Sequence, residues 1–286
     1  MPVYSHSRIS AYQNCPLQYQ YRYIDLIRRD VESVESFVGK LVHEVLEQLY
    51  ADLPRARAAG AGHFRAQFLD LWRARISRSV RVVREGMTLE DYRSLGVRCV
   101  EEFYRHYHPF ESGEVVGREL HVEFSLDTAG SYRMQGYIDR VDRVAPGVFE
   151  IHDYKTGILP RSGALRRERQ LTLYEIALRQ MWEGVLQVRL VWHYVAHDRE
   201  FVEQRSLDDL QRVRMDTIHA IQDIEAAAVF PARVGPLCSW CEYQEICPAM
   251  APRRAAAGAG VVVSEPLPEI NPRTGQYLLF DTTPVR

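Results

Sequence analysis

Apolar and polar residues alternate with two different periods along this chain, and the change of period divides it. As far as Tyr107 the apolar positions recur every three or four residues, as on helices. Ser7 to Ile24 reads as a first helical block and Ser36 to Tyr50 as a second, with Phe37, Leu41, Val45 and Leu49 on one face. Ala61 to Arg84 and Thr88 to Tyr107 read as two more. The period then falls to two. Val115 to Leu126, Tyr132 to Val144 and Val148 to Lys155 alternate or are β-branched, with Ala129-Gly130 and Pro146-Gly147 as turn formers between them, which predicts an antiparallel meander. Arg167 to Trp182 is predicted helical, Val185 to Ala196 and Glu200 to Gln204 extended, and Leu207 to Ala228 helical. This order predicts an α/β sandwich with an N-terminal helical elaboration.

Composition sets the bounds. The 286 residues allow one elaborated domain or two small ones. With 46% hydrophobic and 26% charged residues the chain reads as soluble and globular, and no apolar run approaches the roughly 18 residues of a membrane span, so no membrane partner is expected. Met1 to Ser10 lacks the sections of a secretory signal, so the expected location is cytoplasmic. In that reducing setting five cysteines are expected as metal ligands or free thiols rather than disulfides. Ala249 to Thr274 has four prolines, no aromatics and no periodicity, and is predicted to be a flexible linker before a tail at 275–286.

A net charge of −2 gives no global case for a polyanionic partner, but the distribution is uneven. Between Arg55 and Arg84 eight arginines face one acid, Asp70, on what reads as helix. Such a run is either a face that tracks phosphates or a solvated surface. Lysine is almost absent: Lys40 and Lys155 stand against 34 arginines. Both lysines are therefore candidates for positions where a compact ammonium is needed and a guanidinium fails.

Lys155 lies in the densest chemistry. Gly136-Tyr137-Ile138-Asp139-Arg140 on one predicted strand precedes Ile151-His152-Asp153-Tyr154-Lys155 on the next. Alternation places Asp153 and Lys155 on one face, and a short hairpin brings Asp139 alongside. Two carboxylates and an ammonium suit a hard divalent ion and phosphodiester hydrolysis. An exposed cross-strand salt bridge is the plainer alternative. His152 is expected on the opposite face, away from catalysis. Glu123 is expected to pair with an arginine rather than reach metal through water, and Glu44, Glu47 and Asp142 to be solvated or ion-paired.

These residues resemble the signature of the PD-(D/E)xK nuclease superfamily, in its RecB-like branch, which has a glycine and an aspartate on one strand and D-x-K on the next. The resemblance implies a restriction-endonuclease-like core, a mixed sheet flanked by helices, with a C-terminal iron–sulfur segment. It implies a metal site of His43 (in Gly39-Lys40-Leu41-Val42-His43), Asp139, Asp153 and the Tyr154 backbone carbonyl, taking Mg²⁺ or Mn²⁺, with Lys155 assisting the water. Gln170 and Tyr174, four apart on one helix face, match the family's Q-x-x-x-Y pair, which contacts substrate at the edge of the active site.

Cys238, Cys241 and Cys247 form a C-x₂-C-x₅-C run, and Cys15 stands far upstream, while Cys99 falls among apolar residues and reads as buried filler. One distant and three clustered cysteines resemble the arrangement in iron–sulfur nucleases of the RecB-like class, among them the AddB nuclease domain and the CRISPR adaptation nuclease. The expected cofactor is a 4Fe-4S cluster acting as a staple, with zinc or free thiols as alternatives. Tyr12, Tyr19, Tyr21, Tyr23 and Trp240 nearby either stack on unpaired bases or simply pack around the cluster. In the tail, Gln276, Leu279 and Phe280 resemble a sliding-clamp-binding peptide, or else fold back on the chain.

The resulting expectation is a nuclease domain at 1–248, a cytoplasmic, metal-dependent deoxyribonuclease digesting single-stranded DNA or DNA ends in repair or replication. No phosphate loop of the G-x-x-x-x-G-K-[ST] kind occurs, so helicase work would need a partner. The alternatives are a CRISPR adaptation nuclease trimming protospacers, a non-catalytic DNA-binding scaffold with a nuclease fold, and a zinc-stabilised interaction protein.

Overall fold

The computed structural model describes residues 2–252; the predicted linker beyond Pro252 and the clamp-like peptide lie outside these, while Ala249 and Met250, read as the start of the linker, belong to a short 3-10 turn over Pro248–Met250 that buries Met250. The chain begins with α1 (His6–Asn14) and α2 (Pro16–Tyr19), continued by a π-type turn over Gln20–Ile24. The predicted first helix is thus broken at Cys15, which is extended (φ −156°, ψ 107°). The cause is Pro16, which has no N–H for the preceding turn and disfavours helical geometry in the residue before it. A short β1 (Glu32–Ser33) leads into α3 (Val34–Ala51), where the Ser33 side chain accepts the Ser36 N–H as a cap.

Next come α4 (Leu53–Ala59) and α5 (Ala61–Arg75), followed by β2 (Val80–Arg81), which pairs in parallel with β1. The helix predicted to reach Arg84 therefore stops at Arg75. The run from Arg55 to Arg84, read either as a phosphate-tracking face or as solvated surface, is divided among α4, α5 and β2. Its arginines are dispersed and largely engaged: Arg57 donates to the Pro109 and Phe110 carbonyls, Arg65 meets Glu101, Arg73 Asp70, Arg75 Glu44 and Arg81 Glu245. α6 (Leu89–Tyr107) starts at a capping box of Thr88 and Asp91.

The meander follows as β3 (Glu114–Ser125), β4 (Arg133–Ala145) and β5 (Val148–Lys155). The chain then runs through α7 (Ala164–Arg167) and α8 (Gln170–Met181) to β6 (Gln187–Tyr194), β7 (Arg199–Glu203) and α9 (Leu207–Ala226). The helix predicted from Arg167 to Trp182 is split at Glu168, whose carboxylate accepts the N–H groups of Gln170 and Leu171 and so starts α8 afresh. The five strands stand in the order β3-β4-β5-β6-β7, antiparallel except for β5 and β6, which are parallel. That one parallel pair needs the α7–α8 crossover. The result is a mixed α/β sheet flanked by helices.

Two apolar clusters hold the layers. One joins Ile138, Ile151 and Trp192 of the sheet to Leu171 and Leu178 of α8 and Ile221 of α9, and Ile9 of α1 packs into it. The other packs α3, α5 and α6 together around Leu46, Phe68 and Phe103, and takes Tyr154 from the sheet; Cys99 is fully buried here, as expected. Among the described residues no helix is long and apolar enough to cross a membrane.

Candidate active site

The β4–β5 ladder runs from Ala145 and Val148 as far as the pair Arg140–His152, and beyond that pair the strands part. The Asp139 side chain bridges the opening: its Oδ2 accepts the Tyr154 N–H at 2.8 Å, doing what a backbone carbonyl does elsewhere in the ladder. The Tyr154 carbonyl lies 2.6 Å from Nε2 of His43 on α3, and His43 Nδ1 is 3.4 Å from Asp139 Oδ2. Three predicted ligands, His43, Asp139 and the Tyr154 carbonyl, therefore meet at the mouth of this gap.

Glu119 completes the group. Among the described residues, His43, Glu119 and Asp139 are the set whose donor atoms all lie within 4.8 Å of one another. Glu123, on the same strand, pairs with Arg133 at 3.3 Å, the cross-strand arginine partner expected of it. The signal for Glu119 lay in the hairpin register: Arg118 faces Arg140 and Leu120 faces Ile138, which puts Glu119 level with Asp139. Glu119 has φ 40°, beside a bulge that interrupts the register between Val115 and Gly117. These residues line a cleft of about 630 Å³ that also includes Gly39, Glu44 and Glu47.

Asp153 stands slightly apart from that tight set. It is 3% exposed, and its oxygens are 3.0 and 2.7 Å from Lys155 Nζ. Lys155 also donates to Gln170 Oε1 at 3.2 Å, and Gln170 Nε2 donates to the Tyr174 hydroxyl at 3.4 Å, so Asp153, Lys155, Gln170 and Tyr174 form one chain of contacts. Gly136 explains itself here: a Cβ on it would come 2.6 Å from the Tyr174 ring. Lys40, the other rare lysine, is largely exposed and pairs with Glu32 at 2.6 Å on the cleft rim.

The electrostatics are those of crowded acids. Burial first, and then the charge of Asp139, push Asp153 up to about 7 against the pull of Lys155. Burial and Asp139 likewise raise Glu119. His43 is pushed up to about 9: burial opposes its charge, but the hydrogen bond and charge of Asp139 outweigh that, with Asp153 adding to them. Lys155, despite burial, is held protonated above its ordinary range by Asp153. Carboxylates that must share protons in this way, with a carbonyl and one imidazole among them, make a donor set that fits a hard or borderline dication.

The reverse face of the same strands is closed and polar. Arg140 is 2% exposed, donates to the Tyr154 hydroxyl at 2.7 Å, pairs with Asp142 at 3.1 Å and lies over the Tyr50 ring at 3.8 Å. His152 faces Asp142 at 3.3 Å and bonds to His193 at 2.9 Å, and Tyr107 links His193 to Glu200. His152 thus lies away from the cleft, as alternation predicts, and Asp142 is ion-paired and buried.

Cys15 and the late cysteines come from opposite ends of the described chain and meet. The Arg233 N–H points at Cys15 Sγ and the Gly235 N–H at Cys238 Sγ, each at 3.4 Å. The Cys241 thiol is pushed up to about 11, first by burial and also by Cys15 and Cys238; Cys15 and Cys247 both bear on Tyr21. The segment is tied down by Glu242 to Arg22 and Gln18, by Glu245 to Arg29 and Arg81, and by the Tyr243 hydroxyl to the Ile27 carbonyl. Of the nearby aromatics, Tyr19 is buried and stacks on Phe230, and Tyr12 and Tyr23 pack against the same core.

No curated protein matches the chain. Among solved structures, a protein from Eubacterium rectale described only as a candidate exonuclease superposes with a TM-score of 0.48 at 12% identity, covering 92% of this chain and 90% of that one. The protein SSO0001 superposes with a TM-score of 0.36 at 14% identity, covering 84% and 95%. The family model of the PD-(D/E)XK nuclease superfamily matches residues 3–248 and so spans every residue of the cleft described above. The chain belongs to the PD-(D/E)XK nuclease superfamily, whose members are metal-dependent nucleases.

Proposed function

We propose that this chain is a RecB-like deoxyribonuclease that hydrolyses single-stranded DNA or DNA ends with Mg²⁺ or Mn²⁺ in repair or replication. The observation that carries the reading is the meeting of His43, Asp139, Glu119 and the Tyr154 carbonyl beside the Asp153–Lys155 pair. His43, Asp139, the Tyr154 carbonyl and Asp153 would hold the ion, with Glu119 as a further oxygen donor. A bound dication supplies Lewis acidity toward a phosphoryl oxygen and lowers the pKa of its water. Lys155, kept protonated by Asp153, is suited to orient that water and offset charge on the phosphate rather than to act as its base. Gln170 holds Lys155 from the far side, and Tyr174 holds Gln170.

The same reading assigns Cys15, Cys238, Cys241 and Cys247 to a 4Fe-4S cluster. Backbone N–H groups aimed at two of the sulfurs suit thiolate ligands. The cluster's role is a staple between distant parts of the chain.

The deciding experiment is a time course on end-labelled single strands, each end blocked in turn, with Mn²⁺, Mg²⁺ or chelator. Metal-dependent shortening is expected, reduced by about 10²- to 10³-fold in Lys155→Ala, the range for removing one positioned charge from a reacting centre. Purified protein is expected to be brown, absorbing broadly near about 400 nm from sulfur-to-iron charge transfer. Wild-type protein that binds DNA but cuts nothing with either metal would establish the scaffold reading instead. Stoichiometric zinc in a colourless preparation would remove the cluster.

A further inference from the structure

The segment joining the catalytic lysine to α8 is strongly basic, and nothing in the chemistry above uses its charge. Between Lys155 and Gln170 it carries Arg161, Arg166, Arg167 and Arg169 against a single acid, Glu168. That acid is committed elsewhere, since both its oxygens accept N–H groups at the start of α8, at 2.7 and 3.1 Å. The segment begins and ends in the active site, because Lys155 and Gln170 are hydrogen-bonded to each other. Its middle is anchored by Leu165, which is 8% exposed and whose carbonyl accepts from Arg205 at 2.6 Å. With Leu165 turned inward on α7, Arg166 and Arg167 turn outward, and Arg161 is exposed at the preceding bend.

What separates these three from other exposed arginines is the want of a counterion. Arg73 is matched by Asp70, Arg93 by Glu90 and Arg105 by Glu101. Arg161, Arg166 and Arg167 have no side-chain hydrogen bond or ion pair among the described residues. The charge continues inward: Arg169 donates to Gln13, and burial first, then Arg169 and Lys155, push the neighbouring His6 imidazole down to about 4. The cleft that holds His43 and Asp139 is lined instead by the acids Glu44, Glu47 and Glu119. That lining suits a cation, and the basic segment that starts and ends at the Lys155–Gln170 contact suits a row of anions.

We propose that Arg161, Arg166 and Arg167 form a phosphate clamp, holding a single DNA strand by phosphates adjacent to the one positioned for cleavage. This rests on the nuclease reading and adds how the strand is held. Guanidinium groups bind phosphate oxygens in a bidentate fashion, and such contacts fix the register of a strand without reading its bases. Binding through this rim is therefore indifferent to sequence and steep in salt.

The test measures binding of a fluorescently labelled 20-nucleotide strand by anisotropy, in chelator so that nothing is cut, over a range of KCl. Neutralising three phosphate contacts is expected to lower the slope of log affinity against log salt by about 2, from about 0.7 per single-strand phosphate. The triple variant Arg161→Ala/Arg166→Ala/Arg167→Ala should show that loss, with at least tenfold weaker binding in low salt. The triple lysine variant should recover the slope, which a damaged fold would not allow. Arg73→Ala/Arg93→Ala/Arg105→Ala, whose arginines already have partners, should bind as wild type. An unchanged slope in the Arg161/Arg166/Arg167 alanine variant, or wild type that fails to bind single strands in low salt, overturns the clamp. Loss of slope in that variant, together with wild type that cuts nothing with Mn²⁺, upholds the clamp and removes the nuclease reading, so the two fail separately.

Discussion

Adjacent residues on β4 and β5 serve two faces that solve opposite problems. Arg140, His152 and Tyr154 point into a closed layer against α3, where Arg140 meets Asp142 and the Tyr154 hydroxyl, and His152 meets Asp142 and His193. Asp139, Asp153 and Lys155, their immediate neighbours in sequence, gather at a cleft where acids are left crowded. The sealed face is satisfied from within. The open face is short of positive charge, which an incoming dication would provide. Alternation along a strand is enough to put the two environments within one residue of each other: Arg140 and Asp142 form a closed pair, whereas Asp153 has Lys155 as its cation and is still crowded by Asp139.

The largest expected contrast is in stability. Arg140→Ala leaves Asp142 buried without its cation and should lower unfolding free energy by about 3–5 kcal/mol, the usual result of removing one partner of a buried pair. Lys155→Ala, on the open face, should shift chemical denaturation by much less, because Asp153 can take up a proton near neutrality instead. Equal losses in the two variants would break the comparison.

Acid should act mainly through the sealed face. Burial, with Arg140 adding to it, holds His152 and His193 well below their ordinary range, so below about pH 6.5 the unfolded chain takes up protons that the native state refuses. The contribution of this pair to stability is then expected to fall from pH 7 to 5, by about 1.4 kcal/mol per pH unit for each net proton. His6, pushed down to about 4, acts in the same sense. Asp142, Asp153 and Glu119, all raised by burial, and His43, pushed up to about 9, act in the opposite sense, since the native state binds their protons first. Thermal melting of wild type and His193→Gln at pH 7.5, 6 and 5 checks this: the variant should show the flatter dependence.

The smallest effect sharpens the open face. Gly136→Ala drives a Cβ into the Tyr174 ring and should displace the Tyr174–Gln170–Lys155 chain. A fall of about tenfold in kcat/KM, about 1.4 kcal/mol in the barrier, is expected with the fold intact by circular dichroism. Full activity in this variant would show that Tyr174 does not steady Lys155.

Much of the sheet was legible because period two and two glycine turns leave little freedom: β5 runs over Val148–Lys155 as predicted. Helix ends were legible where capping signals exist, as at Thr88 before α6, and misread where proline or a side-chain cap intervenes, as at Pro16 and Glu168. The place of His43 beside Asp139 was legible only by resemblance, since nothing local distinguishes it from any other helical histidine. Glu119 was missed because strand residues were read singly, without carrying the hairpin register back to Asp139. The arginine run stayed open between two readings because charge density says nothing about counterions, and those come from Glu44, Glu101 and Glu245 on other elements.

By itself the sequence determined which residues share a strand face, where turns occur and that Lys155 is a rare ammonium among guanidiniums, since these follow from local geometry and composition. The tertiary structure alone decided which carboxylates crowd together, where β4 leaves β5 so that Asp139 takes the Tyr154 N–H, and that Cys15 meets Cys238 and Cys241. The reason is range: backbone preferences act over a few residues, whereas desolvation and charge act between any groups that packing brings together.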